Sequence, residues 1–131
     1  MLKISSSNQS DIEISGSALT LNAISREILD LLESDQETIV FEGSQSFDPS
    51  PYDSVVKKLS VAKGQNPAMV SLIPGEEVRV EGSSESLRAF ASFFEFEPDA
   101  SVGDHSHFEY EDYEGNRFLS RGSIPVVISV R

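Results

Sequence analysis

Two segments of the chain carry the same pattern 66 residues apart, and this internal repeat is the feature that most restricts its fold. Residues 11–23 read DIEISGSALTLNA and residues 77–89 read EVRVEGSSESLRA. The matched pairs are Ile12 and Val78, Ile14 and Val80, Gly16 and Gly82, Ser17 and Ser83, Leu21 and Leu87, and Ala23 and Ala89. The offset is almost half of the 131-residue chain, which indicates a tandem duplication.

Each copy predicts a strand, a Gly-Ser turn and a helix. Apolar and polar residues alternate before the glycine, which is typical of a half-buried strand. The glycine permits a sharp reversal, and Ser17 in one copy and Ser83 or Ser84 in the other are candidate N-caps. Apolar residues then recur at spacings of three and four, as on one face of a helix. These are Leu21, Ile24, Ile28, Leu31 and Leu32 in the first copy, and Leu87, Phe90, Ala91, Phe93 and Phe94 in the second. We expect the second helix to end at Pro98.

Further strands are predicted before and after each of these units. They are Leu2–Ser5, Thr38–Glu42 and Lys58–Lys63 in the first half, and Met69–Ile73, His105–Glu111 and Ile124–Val130 in the second. The sequence therefore predicts an α+β fold of two tandem ββαββ repeats with pseudo-twofold symmetry. We expect mostly antiparallel sheet, with two helices packed on one face. We interpret residues 1–131 as a single domain, with repeats at about 1–64 and 68–131, because neither half offers enough core alone.

The charge of the chain restricts its partners. Ten Lys and Arg against 22 Asp and Glu give a net charge of −12, which would repel nucleic acid and anionic membranes and attract a basic protein. The chain has no cysteine, so disulfides and thiolate chemistry are excluded. No apolar stretch approaches the roughly 20 residues of a membrane span, and the first residues do not resemble a signal peptide. We expect a cytoplasmic protein.

Residues 103–112, GDHSHFEYED, contain both histidines of the protein. On a strand, His105, His107, Glu109 and Glu111 would share one face. A His-x-His pair with a carboxylate is one way to hold a zinc or iron ion, so His105, His107 and Glu109 are a candidate metal site, with Asp104 as another ligand. The other interpretation is a solvated, polar strand face. We predict no bound metal or cofactor, and the metal site is kept as the alternative.

The same region mixes carboxylates with aromatic side chains. Aromatic residues supply contact area and carboxylates pair with Lys and Arg, so this composition favours a surface that docks on a basic protein. The acidic run Glu95–Asp99 adds to the charge of this half. No nucleophile elbow, phosphate-binding loop or distinct carboxylate pair is present, so the sequence does not predict an enzyme. The predicted partner-binding residues are Asp104, His105, His107, Glu109, Glu111, Asp112 and Tyr113.

The second half also resembles a known family. A strand ending in glycine, a helix with a leucine, a Gly-x-His-x-His strand and a final Gly-Ser before an apolar strand are similar to the immunity protein 32 family of bacterial polymorphic toxin systems. The residues that carry this resemblance are Gly82, Leu87, Gly103, His105, His107, Gly122 and Ser123. It covers roughly Val78–Val130. The first half departs from the pattern, because Thr38–Glu42 stands where the His-x-His strand would be.

The resemblance implies an inhibitor that acts by binding a cognate toxin. Many such toxins are nucleases with basic clefts, and an acidic inhibitor would plug a cleft of that kind. The partner is then a basic protein toxin. A structural homo-oligomer, such as a homodimer formed through open sheet edges, is a further alternative.

Overall fold

The computed structural model describes residues 2–8, 10–110 and 118–131. Within these residues the chain forms nine strands and two helices. In chain order they are β1 Lys3–Ser7, β2 Asp11–Gly16, α1 Ala18–Leu32, β3 Thr38–Glu42, β4 Ser54–Val55, β5 Lys58–Lys63, β6 Met69–Ile73, β7 Glu77–Gly82, α2 Ser84–Ser92, β8 His105–Phe108 and β9 Val126–Val130. The short strand β4 was not predicted.

The strands divide between two sheets, which the strand patterns did not predict. The first sheet has the order β4-β1-β2-β9-β8 and the second the order β3-β5-β7-β6. Neighbouring strands are antiparallel except for the pairs β2–β9 and β5–β7, which are parallel. The α+β class with two helices and mostly antiparallel sheet is therefore confirmed.

The two halves of the chain exchange strands. The hairpin β1–β2 of the first half pairs through β2 with β9 of the second, and the hairpin β6–β7 of the second half pairs through β7 with β5 of the first. Each sheet thus contains a hairpin of one half followed by two later strands of the other, β9 and β8 in the first sheet and β5 and β3 in the second, and the first sheet has β4 in addition. This order is compatible with the predicted duplication, in which β3 corresponds to β8 and β5 to β9.

The shared segments form the elements that their sequences predict. Ser17 and Ser83 are the N-caps, and their Oγ atoms accept hydrogen bonds from the N–H groups of Thr20 at 3.1 Å and Ser86 at 3.2 Å. Ile12, Ile14, Val78 and Val80, the alternating residues of β2 and β7, are all fully buried. Together with the apolar faces of both helices they belong to one buried cluster, which draws residues from both halves.

Several predicted boundaries differ from the structure: β1 is Lys3–Ser7 rather than Leu2–Ser5, and β9 begins at Val126 rather than at Ile124. Hydrogen bonding explains the two larger differences, which are the ends of α2 and β8. Helix α2 ends at Ser92 rather than at Pro98, because the side chain of Asn22 on α1 bonds both the N–H and the C=O of Phe96. Strand β8 ends at Phe108 rather than at Glu111. The N–H of Ile124, which would continue the β8–β9 ladder, donates instead to the C=O of Val70 on β6. Glu109 therefore lies just beyond the strand.

Candidate functional site

Strand β8 lies at one edge of the first sheet and carries the two histidines. His105 and His107 are exposed, as are Asp104 and Glu109 on either side of the strand. Glu111, Asp112 and Tyr113, the other predicted partner-binding residues, lie outside the described residues. The structure thus brings Asp104, His105, His107 and Glu109 to one exposed edge of the sheet.

The two imidazole rings lie edge to face, with centroids 5.0 Å apart. The Nδ1 atom of His105 is 3.0 Å from the C=O of Gly103, so this nitrogen is engaged by the backbone when it carries the proton. Within residues 2–8, 10–110 and 118–131, no three or more His, Asp or Glu side chains are placed to hold a metal ion together. The described part of the chain therefore offers the histidine pair no third ligand.

Polar contacts occupy the sheet surface beside the histidines. His105 lies opposite Ser129 of β9, whose hydroxyl donates a hydrogen bond of 3.0 Å to Oε2 of Glu13 on β2. The guanidinium of Arg131 donates to the same oxygen at 2.9 Å. Because the carboxylate of Glu13 is held by both groups, we do not assign it to a docking role.

Burial and the carboxylates of Glu13 and Asp11 on β2 influence the pKa of Tyr52. Burial raises the pKa of Tyr52 above its usual value of 10.0, and the charges of Glu13 and Asp11 raise it further. The contribution of this group to stability is present below pH 10 and is lost as the pH rises through the folded-state pKa. We expect Glu13→Gln to lower this pKa partly, since burial remains. Tyrosinate absorbance, measured as the difference from Tyr52→Phe, checks this, and a Tyr52 pKa at or below 10.0 in the wild type would contradict it.

An acidic pocket of about 570 Å³ lies next to the start of β8. Four exposed carboxylates line it, those of Glu95, Glu97, Asp99 and Asp104, and its described lining contains no Lys or Arg. The sequence indicates an acidic run at Glu95–Asp99, but only Asp104 was predicted as a site residue. Glu95, Glu97 and Asp99 were missed because the run was predicted to be the end of a helix and not the wall of a pocket.

The fold fixes the walls of this acidic pocket. The amide of Asn22 holds the backbone of Phe96, at 2.7 Å to its C=O and 3.2 Å from its N–H, and so joins the acidic run to α1. On the other side, Oδ2 of Asp104 accepts a hydrogen bond of 2.9 Å from the N–H of Ser101. Gly103, which lies just before Asp104 in this turn, adopts the left-handed region at φ +99°, and its N–H donates to the C=O of Val130. The pocket is therefore attached to both α1 and β9.

This arrangement can recognise positive charge. One exposed carboxylate binds a cation weakly in water, but several at close range attract the same Lys or Arg side chain and increase its rate of association. The apolar part of such a side chain would lie along Phe96 and Ala100, which also line the pocket. The fold and the pocket together describe an α+β protein with an exposed acidic pocket beside the edge strand β8 of the first sheet.

The comparison with protein-family models agrees with the resemblance seen in the sequence. Residues 77–130 match the family model described as immunity protein 32, which confirms that resemblance for this part of the chain. The match extends from β7 to β9 and includes β8 and the acidic pocket, apart from Asn22. No curated protein and no solved structure matches the chain. None of the helices in the described residues combines the length and apolar character that crossing a membrane requires.

Proposed function

We propose that this protein is an immunity protein that binds and neutralises a cognate toxin of a bacterial polymorphic toxin system. The match of residues 77–130 to immunity protein 32 carries this proposal. The partner is a basic protein toxin, and a nuclease fits best because its phosphate-binding cleft supplies the positive charge. The protein acts by occupying that cleft and not by catalysis. It acts in the cytoplasm, on a toxin that reaches that compartment.

The acidic pocket and the edge of β8 form the proposed docking surface. Glu95, Glu97 and Asp99 would receive Lys or Arg side chains of the toxin, while Asp104, His105, His107 and Glu109 extend the contact along β8. The net charge of −12 supports rapid association, because opposite charges steer the two proteins together before contact. The predicted residues Glu111, Asp112 and Tyr113 are part of this proposal as continuations of the acidic stretch.

A charge-reversal pair tests this surface. Glu97→Lys with Asp99→Lys is expected to weaken binding of the toxin domain encoded beside this gene by about 100-fold, since close charge pairs across an interface contribute about 1.5 kcal/mol or more each. The measurements are calorimetric affinity and growth of a bacterial host that expresses toxin and inhibitor together. The association rate of the wild type should also fall as salt is added.

The matched control reverses two exposed carboxylates at the other end of α1, Asp30→Lys with Asp35→Lys. It changes the net charge equally but should bind almost like the wild type. If both pairs weaken binding alike, general charge and not the acidic pocket determines affinity. If the wild-type protein neither binds the toxin nor restores growth, the proposed function is wrong.

A further inference from the structure

The second sheet has an open edge at β3 that could accept another strand. Strand β3 is one of the two outermost strands of this sheet, and among the described residues its one paired strand is β5. The N–H of Gly43 bonds the C=O of Lys57, and the N–H of Lys63 bonds the C=O of Glu37, which sets the alternation of this antiparallel ladder. By that alternation the N–H and C=O groups of Thr38, Val40 and Glu42 are directed away from β5. They form a row of backbone donors and acceptors along the edge.

An apolar groove of about 540 Å³ runs between this edge and helix α1. Leu2, Ala23, Ile24 and Phe41 line it, and Leu19 and Val40 stand at its rim. Leu19 is 78% exposed and Val40 is 46% exposed, which places them among the few large apolar side chains that the described residues leave in water. An extended segment lying along β3 would cover both side chains.

The groove adjoins the acidic pocket across the first turns of α1. Asn22 lines the acidic pocket, whereas Leu19, Thr20 and Ala23 line the groove. The two are thus separated by one helix, whose diameter is about 10 Å. A partner seated on the acidic pocket would also reach Leu19, and from there the edge of β3.

The charges around the groove favour a positively charged partner over a second copy of this chain. Its described lining contains the carboxylates of Glu27 and Glu42 and no Lys or Arg. A second copy of this chain would bring these carboxylates and another net charge of −12 against the same edge, which is unfavourable. An extended segment that alternates apolar residues with Lys or Arg would cover Leu19 and Val40 and pair with Glu27 and Glu42.

We propose that an extended, basic segment of the toxin adds to β3 as a further strand and places an apolar side chain in the groove between α1 and β3. Strand addition of this kind combines backbone hydrogen bonds with side-chain pockets for specificity. This inference rests on the proposed function and names a second contact made by the same partner. The acidic pocket steers the toxin, and the edge of β3 fixes its register.

Amide hydrogen exchange in the complex tests the inference. With the toxin domain encoded beside this gene as the probe, the amides of Thr38, Val40 and Glu42 are expected to exchange at least tenfold more slowly than in the free protein. A complex in which these three amides remain unprotected overturns the inference and leaves the proposed function standing. Protection at His105 and His107 alone would do the same, because it assigns strand addition to β8. Failure of the complex to form overturns both.

Two variants give an independent readout. Val40→Pro removes the outward N–H while keeping the β3–β5 ladder intact, and Leu19→Ser removes the exposed apolar side chain. Each is expected to weaken toxin binding at least tenfold. The control is Ile73→Ser, which removes a 54% exposed apolar side chain from β6, and this variant should bind like the wild type. If Val40→Pro fails to fold, Leu19→Ser still decides, since its side chain lies in water. Wild-type affinity of Leu19→Ser would overturn the inference.

Discussion

Expressed separately, residues 1–64 and residues 68–131 are each expected to be largely unfolded, and an equimolar mixture of the two is expected to fold. The reason is the strand exchange between the halves. Alone, the first segment would leave β2 without β9 and β5 without β7. The second segment alone would leave β9 without β2 and β7 without β5. Each segment would then expose the apolar faces that the one shared core buries in the intact chain. A chain of about 60 residues buries only a small core and is marginally stable, so the loss of a neighbouring strand is expected to unfold it.

Far-ultraviolet circular dichroism, amide NMR dispersion and urea titration measure this result. The intact chain and the mixed segments should show cooperative unfolding, and the single segments should not. The experiment bears on the family match, because residues 77–130 lie entirely within the second segment. A dispersed spectrum and a cooperative transition for residues 68–131 alone would mean that the matched region is an independent fold and that the exchange of strands adds little stability.

Local structure was predictable where short-range patterns determine it. The alternation around Ile12 and Val78 predicts β2 and β7, and the Gly-Ser turns predict the helix starts that Ser17 and Ser83 cap. The predicted bounds of β3, β5 and β6 agree with the structure. In each of these elements, the signal that predicts it, either the alternation of a strand or the capping serine of a helix, lies within a few residues along the chain.

The arrangement of strands was not predictable, because it depends on contacts between distant residues. Nothing in the pattern of β9 distinguishes pairing with β2 from pairing with a strand of its own half. The early end of α2 has a similar origin, since the side chain that bonds Phe96 belongs to Asn22, which is 74 residues away along the chain. A helix pattern that continues through Phe94 contains no sign of that contact.

The candidate site was predictable only in part for the same reason. His105 and His107 form a recognisable pair, and the exposed strand face on which they lie follows from their polar alternation, whereas the position of β8 at the edge of the sheet does not. The acidic pocket, however, joins Asp104 to Glu95, Glu97 and Asp99 through a turn whose shape depends on Gly103 and Asn22. A stretch of carboxylates in a sequence does not reveal which of them converge, so the prediction included Asp104 and missed the other three.

Phe90→Ala is expected to lower the free energy of unfolding by about 3–5 kcal/mol, as truncation of a fully buried phenylalanine usually does. The side chain of Phe90 is completely buried on α2. Its ring centroid lies 5.1 Å from that of Phe94 and 4.9 Å from that of Phe108. The alanine would leave a cavity between the helix and β8 and would remove two aromatic contacts. Urea unfolding monitored by circular dichroism measures the loss.

Phe93→Ala is the matched control for this prediction. Phe93 also contacts Phe108, with ring centroids 5.2 Å apart, but its side chain is only partly buried. Its truncation removes less apolar surface and leaves a site that water can fill, so the free energy of unfolding should fall by less than in Phe90→Ala.

Because Phe108 is the buried residue of β8, Phe90→Ala should also accelerate hydrogen exchange of the Ser106 and Phe108 amides, which face β9 in the ladder. Equal losses in the two variants would contradict the prediction, because they would mean that the complete burial of Phe90 adds nothing over the partial burial of Phe93.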